Sequence, residues 1–263
     1  MERPKEFGVP GELWWPPAPC KPVLEGNAVQ VWGASLEQDE TSVAAFFQTL
    51  SVDEKARAQR FYFARDQRHF VVGRGILRNI LSRYLDLQPQ ELLFSYGPKE
   101  KPSLAPALVQ ASPKALVLRF NLSHSGGLAL YAFTAGREVG IDIERLRPLE
   151  DAEHIARRFF SVPEVQVFCT LPAHLRLEGF FNCWCRKESY IKATGDGLSM
   201  PLDRFTVSLV PGEPARFLQV EDDPAEAARW SLRELHPAPA YTAAVCVEGQ
   251  GWELACWSWQ SQP

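Results

Sequence analysis

Shifted by 110 positions, the chain matches itself. Val29, Val31 and Leu36 fall on Val139, Ile141 and Leu146; Ser51, Val52 and Glu54 fall on Ser161, Val162 and Glu164; Phe70 falls on Phe180. One ungapped shift therefore aligns a strand, a helix start and a long helix, the signature of a duplicated unit. A length of 263 residues, which lies between one large domain and two small ones, then reads as two similar halves. Ligand clefts favour such junctions, so the seam is where a site is expected. The expected boundaries are a Pro/Trp-rich extension over 1–27, an N-terminal half over 28–136 and a C-terminal half over 137–263.

Each half reads as α+β. In the first, Val29-Gln30-Val31-Trp32 alternates as a strand, and Ala44 to Leu50 forms an apolar helix. Ser51 with Glu54 three residues on is a capping box that opens a helical segment running to Tyr84. That segment carries Arg57, Arg60, Arg65, Arg68, Arg74, Arg78 and Arg83. Strands are expected over Leu116–Phe120, Leu128–Thr134 and Glu138–Glu144, then helices over Leu149–Phe160 and Leu177–Thr194. Four further strands follow, at Phe205–Val210, Trp230–Leu235, Tyr241–Val247 and Trp252–Trp257. The prolines around Trp14-Trp15-Pro16-Pro17 exclude a helix or central strand. The two tryptophans are expected to dock on the chain's own surface rather than on a polyproline-reading module.

Several function classes drop out on composition. With 46% hydrophobic and 23% charged residues the chain is an ordinary globular one, not disordered. A net charge of −4, from 28 basic against 32 acidic residues, supplies no overall field for nucleic acid. No apolar run reaches bilayer length, and Met1-Glu2-Arg3-Pro4-Lys5 does not lead into a signal-peptide core, so a soluble cytoplasmic protein is expected. The six cysteines form no CxxC pair, and Cys183-Trp184-Cys185 lacks a second ligand pair for zinc, which leaves reduced thiols as the expectation.

Three constellations carry chemistry. On a strand at Gly140-Ile141-Asp142-Ile143-Glu144, Asp142 and Glu144 share one face while Ile141 and Ile143 take the other. Two carboxylates side by side call for a cation, either a bound metal or the arginines Arg145 and Arg147. In Trp184 to Lys192, Glu188 and Lys192 lie one helical turn apart, as a surface ion pair or as working groups of a site. Gly195-Asp196-Gly197-Leu198 then stops the helix. The third, Asn121-Leu122-Ser123-His124-Ser125-Gly126-Gly127, reads as a polar turn after a strand, with amides suited to phosphate oxygens. No GxSxG elbow supports a serine nucleophile here.

Taken in order, Phe120 to Ser125, Val139 to Glu144, Arg158-Phe159-Phe160-Ser161 and Trp184 to Leu198 resemble the signature set of Sfp-type 4′-phosphopantetheinyl transferases. The resemblance implies a pseudo-dimer of two α+β halves with the active site at their interface. It implies transfer of the phosphopantetheine arm of coenzyme A to a serine of an apo acyl- or peptidyl-carrier protein, releasing adenosine 3′,5′-bisphosphate. Asp142, Glu144 and Glu188 would hold Mg²⁺, or Mn²⁺ in its place; Glu188 would be the base, directly or through water, and Lys192 would neutralise charge on the phosphate. Arg57, Arg68, Lys101, Pro102, Ser123 and His124 would bind coenzyme A, with Arg74 and Arg78 as further basic residues; Lys187 is expected to face solvent or a phosphate, its role open. Glu100 stands where the family has a glycine before the Lys-Pro pair. A monomer acting on a carrier protein, without nucleic acid or membrane, is expected. The rival readings are a non-catalytic relative that binds coenzyme A or carrier, and a magnesium-dependent nuclease.

Overall fold

The alternation at Val29-Gln30-Val31-Trp32 becomes β1 (Ala28–Ser35), buried on both faces from Val29 to Ala34. The computed structural model describes residues 13–97, 101–195, 200–220 and 224–260. After β1 comes α1 (Glu40–Thr49), capped by Asp39, whose carboxylate accepts from the Ser42 amide at 2.7 Å. α2 (Val52–Ala58) opens on the expected capping box: the Ser51 amide donates to Glu54 Oε2 at 3.0 Å.

The long helix expected to run on to Tyr84 is two helices. α2 ends at Ala58, and α3 (Ala64–Leu85) starts only after Gln59–Phe63. Phe61, Tyr62 and Phe63 are consecutive and exposed, so they offer no helical stripe to bury against the core. The proline-rich stretch folds into the hairpin β2 (Phe94–Tyr96) and β3 (Pro102–Leu104), then the short helices α4 (Pro106–Ala111) and α5 (Pro113–Val117). Each of these helices starts on a proline, where the missing amide costs nothing. The strand expected from Leu116 therefore begins at Leu118, as β4 (Leu118–Ser125). It runs through the Asn121–Ser125 motif, so the expected polar turn shrinks to Gly126-Gly127 before β5 (Leu128–Ala135).

The second half repeats this order. β6 (Val139–Arg145) is followed by three helices rather than two: α6 (Ala152–Phe159), α7 (Val162–Thr170) and α8 (Ala173–Thr194). A second hairpin, β7 (Phe205–Val207) with β8 (Phe217–Val220), precedes α9 (Pro224–Arg229), β9 (Trp230–Leu235), β10 (Tyr241–Glu248) and β11 (Glu253–Ser258). The sheet order β1-β5-β4 of the first half reappears as β6-β10-β9 in the second. α3 and α8 both have 22 residues, and α7 repeats the capping box, with the Ser161 amide donating to Glu164 Oε2 at 2.8 Å.

Both capping-box glutamates are 1% exposed, and each is neutralised by a cation from the long helix. Glu54 pairs with Arg78 at 2.7 Å, and Glu164 pairs with Lys187 at 2.8 Å. Burying such pairs is costly unless the remaining polar atoms are satisfied. The cations are well supplied: Arg78 donates to the Pro89 and Leu92 carbonyls, and Lys187 to those of Leu202 and Phe205, while Glu54 Oε1 has no hydrogen bond and lies 3.5 Å from Arg74 Nε. Arg78 and Lys187 thus hold helices together and do not reach the seam: Lys187, expected to face solvent or a phosphate, is buried against Glu164 instead.

Each half has its own core on its long helix, Ile76, Leu77 and Ile80 in one and Phe180, Tyr190 and Ile191 in the other. A third core belongs to both: Val29, Val31, Leu130 and Ala132 pack on Ile141, Ile143, Val245 and Val247. β11 lies parallel beside β1, so Glu253–Ser258, within the expected 137–263 half, sits in the first half's sheet. Leu13 and Trp15 of the N-terminal extension pack on the shared core. All six cysteines are free. Among the described residues no helix is long and apolar enough to cross a membrane.

Candidate active site

The edge strands of the two sheets, β4 and β6, run side by side along the seam and are laced by side chains. Asn121 Oδ1 accepts from the Ile141 amide at 3.0 Å, and Ser123 Oγ donates to Asp142 Oδ1 at 2.9 Å. Ser125 Oγ donates to Glu144 Oε2 at 2.8 Å and accepts from the Arg145 amide at 3.2 Å. Residues two apart on a strand share a face, which is why Asn121, Ser123 and Ser125 act as one row. Across from them, Asp142 and Glu144 face the site while Ile141 and Ile143 enter the shared core.

α8 closes over β6 at Gly140. A Cβ there would stand 2.0 Å from the Ser189 carbonyl oxygen and 2.3 Å from the Ala193 nitrogen, so only glycine permits this approach. It brings Lys192 Nζ to 2.6 Å from Asp142 Oδ1 and 2.9 Å from Ser123 Oγ. Glu188, one turn earlier, shares their electrostatic environment. Burial raises its pKa first, and the neighbouring charge of Asp142 adds to the effect. The Glu144 pKa is raised by burial as well, against the Ser125 hydrogen bond. Burial disfavours the Lys192 ammonium, but the charge and hydrogen bond of Asp142 outweigh it and leave the pKa raised. Gly195, at φ 81°, ends α8; Asp196, Gly197 and Leu198 lie outside the described residues.

Beside the carboxylates opens a cleft of about 840 Å³ between the halves. Arg57, Lys101, Pro102, Ser123, His124 and Lys192 all line it. Lys101 Nζ donates to the Lys192 carbonyl at 2.6 Å, which ties the first half's hairpin to the end of α8, and burial lowers its pKa. Glu100 lies outside the described residues. Burial also lowers the His124 pKa, with the charges of Lys192 and His69 next in effect. Arg74 lines the cleft, with its Nε 3.5 Å from Glu54 Oε1. Arg68 does not line it: its guanidinium pairs with Glu40 and donates to the Gln38 carbonyl. His69, Arg65 and Asn121 are wall residues that sequence reasoning missed. The period-two polar row Asn121-x-Ser123-x-Ser125 was the available signal for Asn121.

A divalent cation is tested by the donor chemistry. The three carboxylates supply only oxygen, which suits a hard cation. Asp142 Oδ2 is buried with no hydrogen-bond partner, an atom that a cation would satisfy. Among the described residues, however, no three acidic, histidine or cysteine side chains stand close enough to hold a metal by themselves. The residues therefore fit an ion of the magnesium kind, which takes one or two protein carboxylates and fills its remaining positions with phosphate and water.

Comparison with known proteins gives two family matches that divide the chain much as the repeat does. A 4′-phosphopantetheinyl transferase N-terminal family model matches residues 32–136, and the 4′-phosphopantetheinyl transferase superfamily model matches residues 138–246. The chain is 42% identical over 243 residues to the 4′-phosphopantetheinyl transferase HetI of Nostoc sp., covering 92% of this chain and 97% of that protein. It is 35% identical over 199 residues to the 4′-phosphopantetheinyl transferase psf-1 of Bacillus pumilus, covering 75% of this chain and 78% of that one. With the 4′-phosphopantetheinyl transferase Sfp of Bacillus subtilis it shares 32% identity over 213 residues, 81% of this chain and 87% of the relative.

Proposed function

The chain belongs to the 4′-phosphopantetheinyl transferase superfamily, and on that premise we propose how its own residues divide the work of transfer. It is an enzyme that moves the 4′-phosphopantetheine moiety of coenzyme A to a serine of an apo carrier protein. The serine Oγ–phosphorus bond forms, the phosphorus–oxygen bond to the nucleotide breaks, and adenosine 3′,5′-bisphosphate leaves.

One observation carries the assignment of roles: Lys192 Nζ lies 2.6 Å from Asp142 Oδ1 beside the seam, with Glu188 on the same helix and Glu144 on the same strand. In this reading Glu188 takes the serine proton at the moment of attack. Its pKa, raised first by burial and then by the charge of Asp142, makes it a stronger acceptor than an exposed glutamate. Lys192, freed from Asp142 by an incoming phosphate, balances charge building on the leaving oxygen. One or two of Asp142, Glu144 and Glu188 would hold Mg²⁺ or Mn²⁺, which supplies charge neutralisation at the diphosphate. Arg57, Lys101, Ser123 and His124 hold the phosphates of coenzyme A along the cleft, with Pro102 shaping the wall. The partner is an acyl- or peptidyl-carrier protein, met by a monomeric, soluble enzyme.

Incubation with coenzyme A, Mg²⁺ and apo carriers of several kinds, followed by mass spectrometry, tests this. The carrier should gain one phosphopantetheine. Absence of the gain from every carrier would overturn the transferase reading and favour a non-catalytic binder.

A further inference from the structure

We propose that a second cavity, at the C-terminal end of α3, binds an amphiphilic anion: a carboxylate or phosphate head held by Arg83, on a short hydrocarbon chain lying against Val23, Val117 and Leu118. The cavity measures about 400 Å³, within the range of small-molecule sites. It shares no lining residue with the cleft. α3 passes both: Arg65, His69 and Arg74 line the cleft, whereas Arg83 and Asp86 line this cavity. Arg83 follows Arg74 by about 13 Å along the helix axis.

Arg83 is a cation without a counter-charge. Its guanidinium is half-buried and stacks on the Trp259 ring, 4.4 Å from the centroid, with the Trp32 ring at 5.6 Å. Among the described residues it has no hydrogen bond and no ion pair. Burial lowers its pKa, and no carboxylate is among the groups that oppose the effect. Stacking occupies the face of the guanidinium and leaves its N–H edge for an acceptor. The indole nitrogen of Trp259 is also buried without a partner. Two unused donors therefore meet in one stacked pair, where buried donors are ordinarily satisfied.

The rest of the wall supplies charge on one side and hydrocarbon on the other. Lys21 and Lys114 join Arg83 there, and Asp86 is paired with Lys114. Three cations against one carboxylate leave the wall positive, even with the roughly half negative charge of a helix C-terminus counted against them. Val23 is 63% exposed and Val117 46%, beside the buried Leu85 and Leu118. Large apolar side chains left open next to an unpaired guanidinium suit a ligand of both characters. Tyr84 offers only its ring, because its hydroxyl donates to Gln30 Oε1 at 2.5 Å and accepts from Trp32 Nε1 at 2.9 Å.

Calorimetric titration of octanoate and octyl phosphate into the full chain, with and without excess coenzyme A, tests this. At least one should bind, with the same isotherm in both conditions; the tighter of the two identifies the head as carboxylate or phosphate. For that head, the eight-carbon chain should bind roughly tenfold more tightly than the six-carbon one, the scale of two buried methylenes. Arg83→Gln should weaken it by roughly tenfold, the scale of one hydrogen bond between charged groups. Lys21→Gln, at an exposed side chain, should weaken it by about threefold, the scale of an exposed ion pair. Carrier modification by both variants should match the wild type. Binding of neither amphiphile, octanol or octylamine binding as tightly, undiminished affinity in both variants, or competition by coenzyme A would each overturn the proposal.

Discussion

At the scale of single residues, the site is a place where folding stability is spent on charge. Glu144 and Glu188 both have pKa values raised first by burial. The folded protein therefore holds their protons more tightly than the unfolded chain does. As the pH rises through the unfolded value toward the raised folded value, ionisation removes stability, and the loss persists at neutral pH. Glu188→Gln should accordingly abolish transfer, keep coenzyme A binding, and raise the metal-free melting temperature at pH 7 by roughly 2 °C or more. The gain should vanish in acid, where the wild-type carboxyl is itself protonated. Differential scanning calorimetry at both pH values reads this directly; a lower melting temperature for the variant at pH 7 would instead make Glu188 part of a structural ion pair. The same scale shows why the sequence pointed to Arg68 while His69 is the one of the two that lines the cleft. Motif spacing identifies a basic segment, but which of two adjacent residues faces the cleft depends on Glu40 and Glu37, more than 25 residues away in the chain.

At the scale of elements, the legible parts were those set by local chemistry. Both capping boxes, Ser51 with Glu54 and Ser161 with Glu164, form where their spacing predicted them. The row of Asp142 and Glu144 opposite Ile141 and Ile143 follows from strand alternation alone. What local chemistry did not reveal was edge partnership. Asn121 to Ser125 read as a turn because it is polar, whereas the polarity serves to lace β4 to β6. Gly140 likewise looked like any strand glycine until α8 was placed on it. Gly140→Ala should be among the most damaging single-atom-scale changes in the chain. The added methyl meets backbone at 2.0 Å, so α8 must lift and carry Glu188 and Lys192 away from Asp142. A loss of about 3 kcal/mol or more in urea unfolding, with activity falling further than stability, is the expected result. Wild-type stability in Gly140→Ala would show that the helix can slide without cost.

At the scale of the whole molecule, the duplication explains the cleft but not how the halves stay together. The repeat accounts for three strands in each sheet; β11 has no counterpart in the first half and closes the molecule by pairing with β1 from Ala28 to Gly33. Around it residues 14–16 and 257–259 come together. The Ser258 amide donates to the Pro16 carbonyl at 2.7 Å, the Trp259 amide to the Gly33 carbonyl at 2.7 Å, and the Trp14 amide to the Pro237 carbonyl at 2.9 Å. Trp257 packs edge-on to Trp32 with centroids 5.4 Å apart, and Trp252 is buried in the core that both sheets share. No residue assigned to the site lies beyond Lys192, so a chain ending at Gly251 keeps every one of them. It would nonetheless expose the edge of β1 and strip three tryptophans from the packing, a loss comparable to the few kcal/mol by which domains of this size are stable. Such a truncation should lose its cooperative thermal transition and its transfer activity together, as read by circular dichroism and the carrier mass assay. If it melted like the wild type and still loaded the carrier, the seam laced by β4 and β6 would be sufficient, and the closing strand would be dispensable to the site.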